Sequence, residues 1–248
     1  MKEYGIAFLM TQSMFCALPF PCKVWEEKAR NKMLLFLPVI GLEIGLVWLL
    51  LDGILNRMGV PVLVIGLAMC AFPYLITGFI HLDGYLDVTD AICSWRNLED
   101  RRRILKDSHV GSFAVIWCVF LLLAGFALFS SVPEAADSRC LVLVPVISRC
   151  CSALAVLRLK PMNTSQYADS QQTAPKWHTI LLVIGMLCCI TAGFMSFGKY
   201  GFVLVGGLAG YVLALYRSYR SLQGMNGDIS GYCLTISELC AVAVYALL

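Results

Sequence analysis

The sequence predicts an all-α fold: a polytopic integral membrane helix bundle of about seven transmembrane helices plus an N-terminal interfacial helix, in a single domain over residues 1–248. Three observations predict it. The chain is 59% hydrophobic and only 14% charged, too apolar for an ordinary water-soluble domain. Its mean hydropathy of +0.77 is spread over repeated apolar runs rather than one segment. Basic residues crowd alternate connections between those runs, as cytoplasmic loops of membrane proteins do.

The runs, each near the roughly 20 residues that cross a bilayer, are Met33–Leu51, Met58–Ile80, Val110–Val132, Cys140–Leu159, His178–Gly198, Tyr200–Tyr216 and Tyr232–Leu248. The segment Gly5 to Pro21 is apolar but broken by Pro19 and Pro21, so it is expected to lie in the interface rather than to cross. No cleavable signal peptide is expected, because no basic region precedes a small-residue cleavage site.

Lys23, Lys28, Arg30 and Lys32 precede the first run, Arg101, Arg102, Arg103 and Lys106 follow the second, Lys160 and Lys176 follow the fourth, and Arg217 and Arg220 follow the sixth. The other connections hold only Arg57, Arg139 and Lys199. This bias predicts a cytoplasmic N-terminus and an external C-terminus. A net charge of +3 gives no case for nucleic acid as a partner, whereas the lipid bilayer is one; a homo-oligomer stays compatible with the sequence. The 12 cysteines fall almost entirely inside apolar runs without a C-x-x-C pair, so they are read as small packing residues rather than as disulfides or zinc ligands.

Chemistry is concentrated in His81-Leu-Asp-Gly-Tyr-Leu-Asp-Val-Thr-Asp90. On a helix, Asp83, Asp87 and Asp90 stand at i, i+4 and i+7 and share a face. Three neighbouring carboxylates repel one another without a cation among them, and a hard divalent ion, Mg²⁺, suits oxygen ligands and substrate phosphates together. Aspartates that merely solvate a helix end are the simpler account of one or two such residues, and three on one face favour the metal. His81 falls on another face, as a general base, a phosphate contact or an interfacial histidine.

The charge bias puts this cluster in a cytoplasmic loop together with Arg101, Arg102, Arg103, Lys106 and Ser108. Guanidinium forks suit polyphosphate, although the same cluster also fixes topology. Ser108 is expected to cap a helix starting near Val110, which makes a phosphate seat beside Lys106. A third element, Gly224-Met-Asn-Gly-Asp228-Ile-Ser-Gly231, combines close backbone approach with a carboxylate, or is a plain turn before a capped helix. Glu43, Arg149 and Glu238 lie inside runs, where ionisable groups pair: Arg149 with Glu238 or with Glu43.

Taken together, these pieces resemble the cobalamin synthase family, the membrane adenosylcobinamide-GDP ribazoletransferases. The resemblance rests on Ser13-Met-Phe-Cys-Ala-Leu-Pro-Phe-Pro21, Phe36-Leu-Pro-Val-Ile-Gly-Leu-Glu-Ile-Gly45, His81-Leu-Asp-Gly with Asp87 and Asp90, Lys106-Asp-Ser-His-Val-Gly-Ser-Phe113, Ser148-Arg149, and Gly227-Asp228 with Gly231 and Glu238. Ala17, Ala91, His109 and Asn226 stand where the family usually has a basic residue, glycine, arginine and threonine. The resemblance implies Mg²⁺-dependent joining of a GDP-activated corrinoid to α-ribazole or its 5′-phosphate, with GMP released. It implies Asp83, Asp87 and Asp90 on the metal, and His81 or an aspartate as proton acceptor. Lys106, Ser108 and the arginines 101–103 would hold phosphate, and Asn226 and Asp228 would close the site.

Two other membrane transferase groups fit the letters less well. CDP-alcohol phosphotransferases carry D-G-x-x-A-R where this chain has Asp87-Val88, and UbiA-type prenyltransferases carry N-D-x-x-D-x-x-x-D. A secondary transporter would place its acids near the bilayer midplane rather than in one cytoplasmic cluster.

Overall fold

The structure is a computed structural model that describes residues 2–19, 24–162, 165 and 174–248. Pro21, Lys23 and most of the polar loop from Asn163 to Lys176 lie outside the described residues. Among the described residues the regular structure is helical: α1 (Lys2–Phe15), α2 (Arg30–Arg57), α3 (Val62–Ile76), α4 (Ile80–Cys93), α5 (Leu98–Ile104), α6 (Ser112–Ser130), α7 (Val144–Arg158), α8 (Lys176–Phe197), α9 (Gly201–Leu222) and α10 (Gly227–Leu247), with 3₁₀ turns at Glu27–Ala29, Ser138–Leu143 and Gly198–Tyr200.

Five helical stretches are long and apolar enough to cross a membrane, or six if the bent pair α3–α4 counts as one. One of the five is the 47-residue run Lys176–Leu222, which joins α8 and α9 through Gly198–Tyr200. The outer faces carry large apolar side chains such as Leu63, Leu67, Phe120, Leu123, Ile184 and Leu187, which stand exposed. So much exposed apolar surface fits lipid contact and not water. α1 is 14 residues, too short to cross, and packs Ala7, Met10 and Thr11 against α2, where Thr11 Oγ1 donates to the Met33 carbonyl at 3.1 Å.

The interior is built on small residues and a few satisfied polar groups. Gly41 and Gly45 of α2 form a G-x-x-x-G face; a Cβ on them would fall 2.4 Å from the Pro145 carbonyl and 2.1 Å from the Val142 carbonyl, so only glycine lets this face lie on the start of α7. The Arg149 guanidinium is 1% exposed; its Nη1 donates to Glu238 Oε1 at 2.7 Å, and Ser148 Oγ donates to the same oxygen at 3.0 Å. Of the two partners open to Arg149 in the sequence, the fold selects Glu238. Glu43 instead accepts from Gln12 Nε2 of α1 at 2.9 Å. Among the described residues the cysteines are free thiols, most of them buried, as packing residues are.

Pro73 lies inside α3 and has no N–H for the carbonyl of Met69 one turn earlier. Trp48 Nε1 of α2 replaces the missing donor, at 3.1 Å from that oxygen and fully buried. Trp48→Phe keeps the ring but orphans the carbonyl; it is expected to cost about 1–3 kcal/mol, read as a lower unfolding midpoint in detergent.

α3 and α4 meet at 91°. The corner is made by Gly78 (φ +59°) and Phe79 (φ +63°), consecutive left-handed residues. Gly78 takes this conformation freely, while Phe79 holds it at a cost that the packing of α4 must offset. The 15 residues of α3 span only about 22 Å at 1.5 Å per residue. The turn then points the acidic helix into the bundle, where it packs mainly against α10 and α6. The acidic cluster therefore sits on a packed helix and not, as expected from the sequence, in a loop.

Candidate active site

α4 buries His81, Leu82, Tyr85, Val88, Thr89 and Ile92, and turns its aspartates the other way: Asp83 is exposed, Asp87 and Asp90 half-buried. The single shared face expected from the i, i+4, i+7 spacing is present. Two glycines bring α4 onto α10: a Cβ on Gly84 would fall 2.7 Å from the Asp228 carbonyl, and one on Gly231 would fall 3.0 Å from the His81 carbonyl. Thr235 Oγ1 also donates to the His81 carbonyl at 3.3 Å. Through this contact Asp228, 138 residues further along the chain than Asp90, joins the acidic face.

Asp87 is the centre of the group, within Coulombic reach of Asp83, Asp228 and Asp90, and Asp228 also feels Asp83. Asp90 reaches the start of α6, where its carboxylate lies against Gly111: a Cβ there would fall 2.0 Å from Oδ2, and the carboxylate would have to turn aside. The Asp228 carboxylate accepts from Asn226 Nδ2 at 2.7 Å, while Asn226 Oδ1 accepts from the Ile229 amide at 3.0 Å and caps α10. The turn is a capped helix start, as one reading of the sequence has it, and the cap residue also orients the Asp228 carboxylate. Asn226→Ala is expected to cost about 1 kcal/mol through the lost cap, and to slow turnover by freeing Asp228; an unfolding curve and an initial rate check the two effects separately.

Among the described residues none of these carboxylates has a lysine or arginine in an ion pair, and no group of three or more His, Cys, Asp or Glu stands ready-made to hold a metal. The residues present offer oxygen donors of the kind a hard cation takes, and among the described residues no lysine or arginine pairs with them.

Behind this face lies a cavity of about 120 Å³, with Asp83, Asp228 and His81 on one side and Phe15, Leu34 and Val156 among its apolar walls. His81 is 9% exposed, its ring nearly parallel to that of Phe15 (centroids 6.1 Å apart, 12°), and its buried Nε2 has no hydrogen-bond partner among the described residues. Ser152 of α7 and Ser230 of α10 also line the cavity and are hydrogen-bonded to each other. Sequence reasoning missed Phe15, Ser152 and Ser230; a single serine or phenylalanine inside an apolar run carries no signal of its own.

The basic segment is used differently from expectation. Arg102 donates from Nε to the Leu222 carbonyl at 3.0 Å and from Nη2 to the Gln223 carbonyl at 2.8 Å, and Arg101 Nη1 reaches the Ser221 carbonyl at 3.4 Å. These two guanidiniums close the C-terminus of α9, where carbonyls lack helical partners and cations are favoured. Arg103 pairs with Asp100 at 3.1 Å and is largely exposed. Ser108 does not cap α6: the helix starts at Ser112 with Gly111 as its N-cap residue, because the chain stays irregular through His109 and Val110. Lys106 and Ser108 are exposed, and the neighbouring Asp107 carboxyl is held below the usual carboxylate range by the His109 amide and ring.

Comparison with known proteins matches residues 7–246 to the family model described as cobalamin-5-phosphate synthase. The chain belongs to this family. An adenosylcobinamide-GDP ribazoletransferase of Clostridium perfringens (strain SM101 / Type A) is 34% identical over 252 aligned residues, covering all of both chains. A protein of the same name from Lachnoclostridium phytofermentans is 33% identical over 92% of this chain and 88% of its own. One from Corynebacterium diphtheriae is 28% identical over 91% and 86%. No solved structure matches. Within the cobalamin-5-phosphate synthase family this chain thus supplies its own picture of how the acidic helix, the Gly227-Asp228 turn and the α1 wall meet.

Proposed function

We propose that the protein joins adenosylcobinamide-GDP to ribazole, or to ribazole 5′-phosphate, and releases GMP in the nucleotide-loop assembly step of cobalamin biosynthesis. The observation that carries this reading is the concentration of Asp83, Asp87, Asp90 and Asp228, unpaired with any base among the described residues and with two of them, Asp83 and Asp228, lining a cavity, in a chain alignable end to end with ribazoletransferases. In the reaction a ribose hydroxyl of the acceptor, other than the 5′ oxygen that ribazole 5′-phosphate carries esterified, attacks the corrinoid-side phosphorus. The bond from that phosphorus to the bridging oxygen breaks, and GMP leaves with the electron pair.

Asp83 and Asp87, with Asp90 or Asp228 completing the set, would hold Mg²⁺, which when bound neutralises pyrophosphate charge. Asp228 is placed to take the hydroxyl proton: Asn226 holds one carboxylate oxygen, leaving the other for the acceptor at the cavity mouth. Lys106 and Ser108, both exposed, would meet phosphate from the solvent side together with Arg103, which is largely exposed beside Asp100, while Arg101 and Arg102 hold the carbonyls of Ser221, Leu222 and Gln223. Purified protein given the GDP-activated corrinoid, ribazole and Mg²⁺ is expected to yield GMP and the completed cobamide in equal amounts. No GMP above a blank would end this reading.

The membrane arrangement that goes with it has seven crossings. At 1.5 Å per residue the 47-residue run Lys176–Leu222 would be about 70 Å long, more than twice the roughly 30 Å hydrocarbon core, which supports two crossings there. The bent pair α3–α4 supplies another, α1 lies at the cytoplasmic interface, and the basic-residue bias sets the acidic face toward the cytoplasm. A reporter fused after Leu248 should report from outside the cell.

A further inference from the structure

We infer that the cavity behind the acidic face is the seat of the acceptor's heterocyclic base, and that Phe15, His81 and Val156 set which base is accepted. The inference rests on the reaction proposed above and adds to it where one substrate lies. The reacting hydroxyl must reach Asp83 and Asp228, and the enclosed space continuous with those two carboxylates is this cavity. Its volume of about 120 Å³ suits a flat bicyclic ring and excludes a corrin macrocycle. Its walls, Leu34, Leu37, Val156 and Leu234 with the Phe15 ring, would leave a pyrophosphate desolvated and unpaired, so the charged donor belongs on the open acidic side.

The polar atoms inside match a neutral nitrogen heterocycle bearing a sugar. Among the described residues the buried His81 Nε2 has no partner, a cost that a ring nitrogen of the base would remove. The Ser152 and Ser230 hydroxyls, bonded to one another, lie on the same wall where a ribose hydroxyl could join them. The cavity is closed on one side by α1, whose Phe15 faces His81. This gives α1 a function its length alone does not reveal.

Val156 is the position to vary, because it lines the cavity with an apolar side chain and is none of the groups assigned to metal, phosphate or the proton. Val156→Leu adds one methylene and is expected to raise KM for ribazole about tenfold, with KM for the GDP-activated corrinoid unchanged. Val156→Ala enlarges the space and is expected to shift preference toward ribosides with a bulkier base than ribazole's. Because the two variants move base preference in opposite directions, general destabilisation cannot imitate the result. Equal changes in KM for both substrates, or a change for the donor alone, would overturn the inference.

Calorimetric binding of ribazole to the purified protein without donor separates this inference from the reaction. Ribazole that binds wild type and binds Val156→Leu more weakly supports the cavity even if no GMP forms. Release of GMP by wild type together with ribazole binding indifferent to Val156 would overturn the cavity and leave the reaction.

Discussion

Asp87→Asn is expected to lower the rate of GMP release by on the order of 10²–10³-fold, the usual effect of deleting one preorganised charge from the stabilisation of a transferring group. It is also expected to leave the protein as stable as wild type or more so. Asp87 is half-buried with Asp83, Asp228 and Asp90 in Coulombic reach, and among the described residues no lysine or arginine pairs with it, so removing its charge relieves both burial and repulsion. Loss of activity with gain of stability is the signature of a residue kept for its ligand. A second readout needs no turnover: Mg²⁺ should raise the unfolding midpoint of wild type by binding the folded state, and raise that of Asp87→Asn less. An Asp87→Asn enzyme that turns over normally would remove the carboxylate face from the mechanism.

The opposite pattern is expected at Arg149. Replacing it with methionine leaves Glu238 buried without its counter-ion, 10% exposed and held only by Ser148, and should cost about 3–5 kcal/mol. Removing both charges together, Arg149→Met with Glu238→Leu, should recover most of that loss, because two buried charges desolvated in each other's favour can be exchanged for apolar packing. Unfolding midpoints of the two single variants and the double variant in one detergent form the cycle. Singles that melt with wild type would mean that the pair adds nothing to the fold. Because His81 lies within Coulombic reach of Arg149, the double variant should also be assayed for ribazole KM.

Much of this was legible before any coordinates, and the reasons differ from element to element. The spacing of Asp83, Asp87 and Asp90 is a local helical property, so the shared face followed directly from the residues. The Arg149–Glu238 pair was legible as a need for a partner, and not as a choice between Glu43 and Glu238, because that choice depends on Gln12 of α1 reaching Glu43. The bend at Gly78-Phe79 was hidden: apolar residues continue through Ile80, and a left-handed phenylalanine has no sequence signature. For the same reason the acidic residues read as a loop after a span, when they stand on a second helix turned back into the bundle. Arg101 and Arg102 read as phosphate ligands or topology markers. Their work on the carbonyls of α9 is a contact across 120 residues of chain that composition cannot announce.

The close crossing of α4 and α10 through Gly84 and Gly231 also has a consequence for how the protein is made. α4 leaves the ribosome more than a hundred residues before α10 does, so during synthesis the buried side of α4, with His81 and Tyr85, faces a gap that only the later helix fills. Until α10 inserts, the acidic face lacks Asp228 and the cavity lacks a wall, and the nascent chain can neither close around an acceptor nor hide its unsatisfied surface. A chain halted before Gly227 would leave Tyr85 without the Tyr232 ring that stacks on it and the His81 carbonyl without the Thr235 hydroxyl, both of which the completed protein supplies.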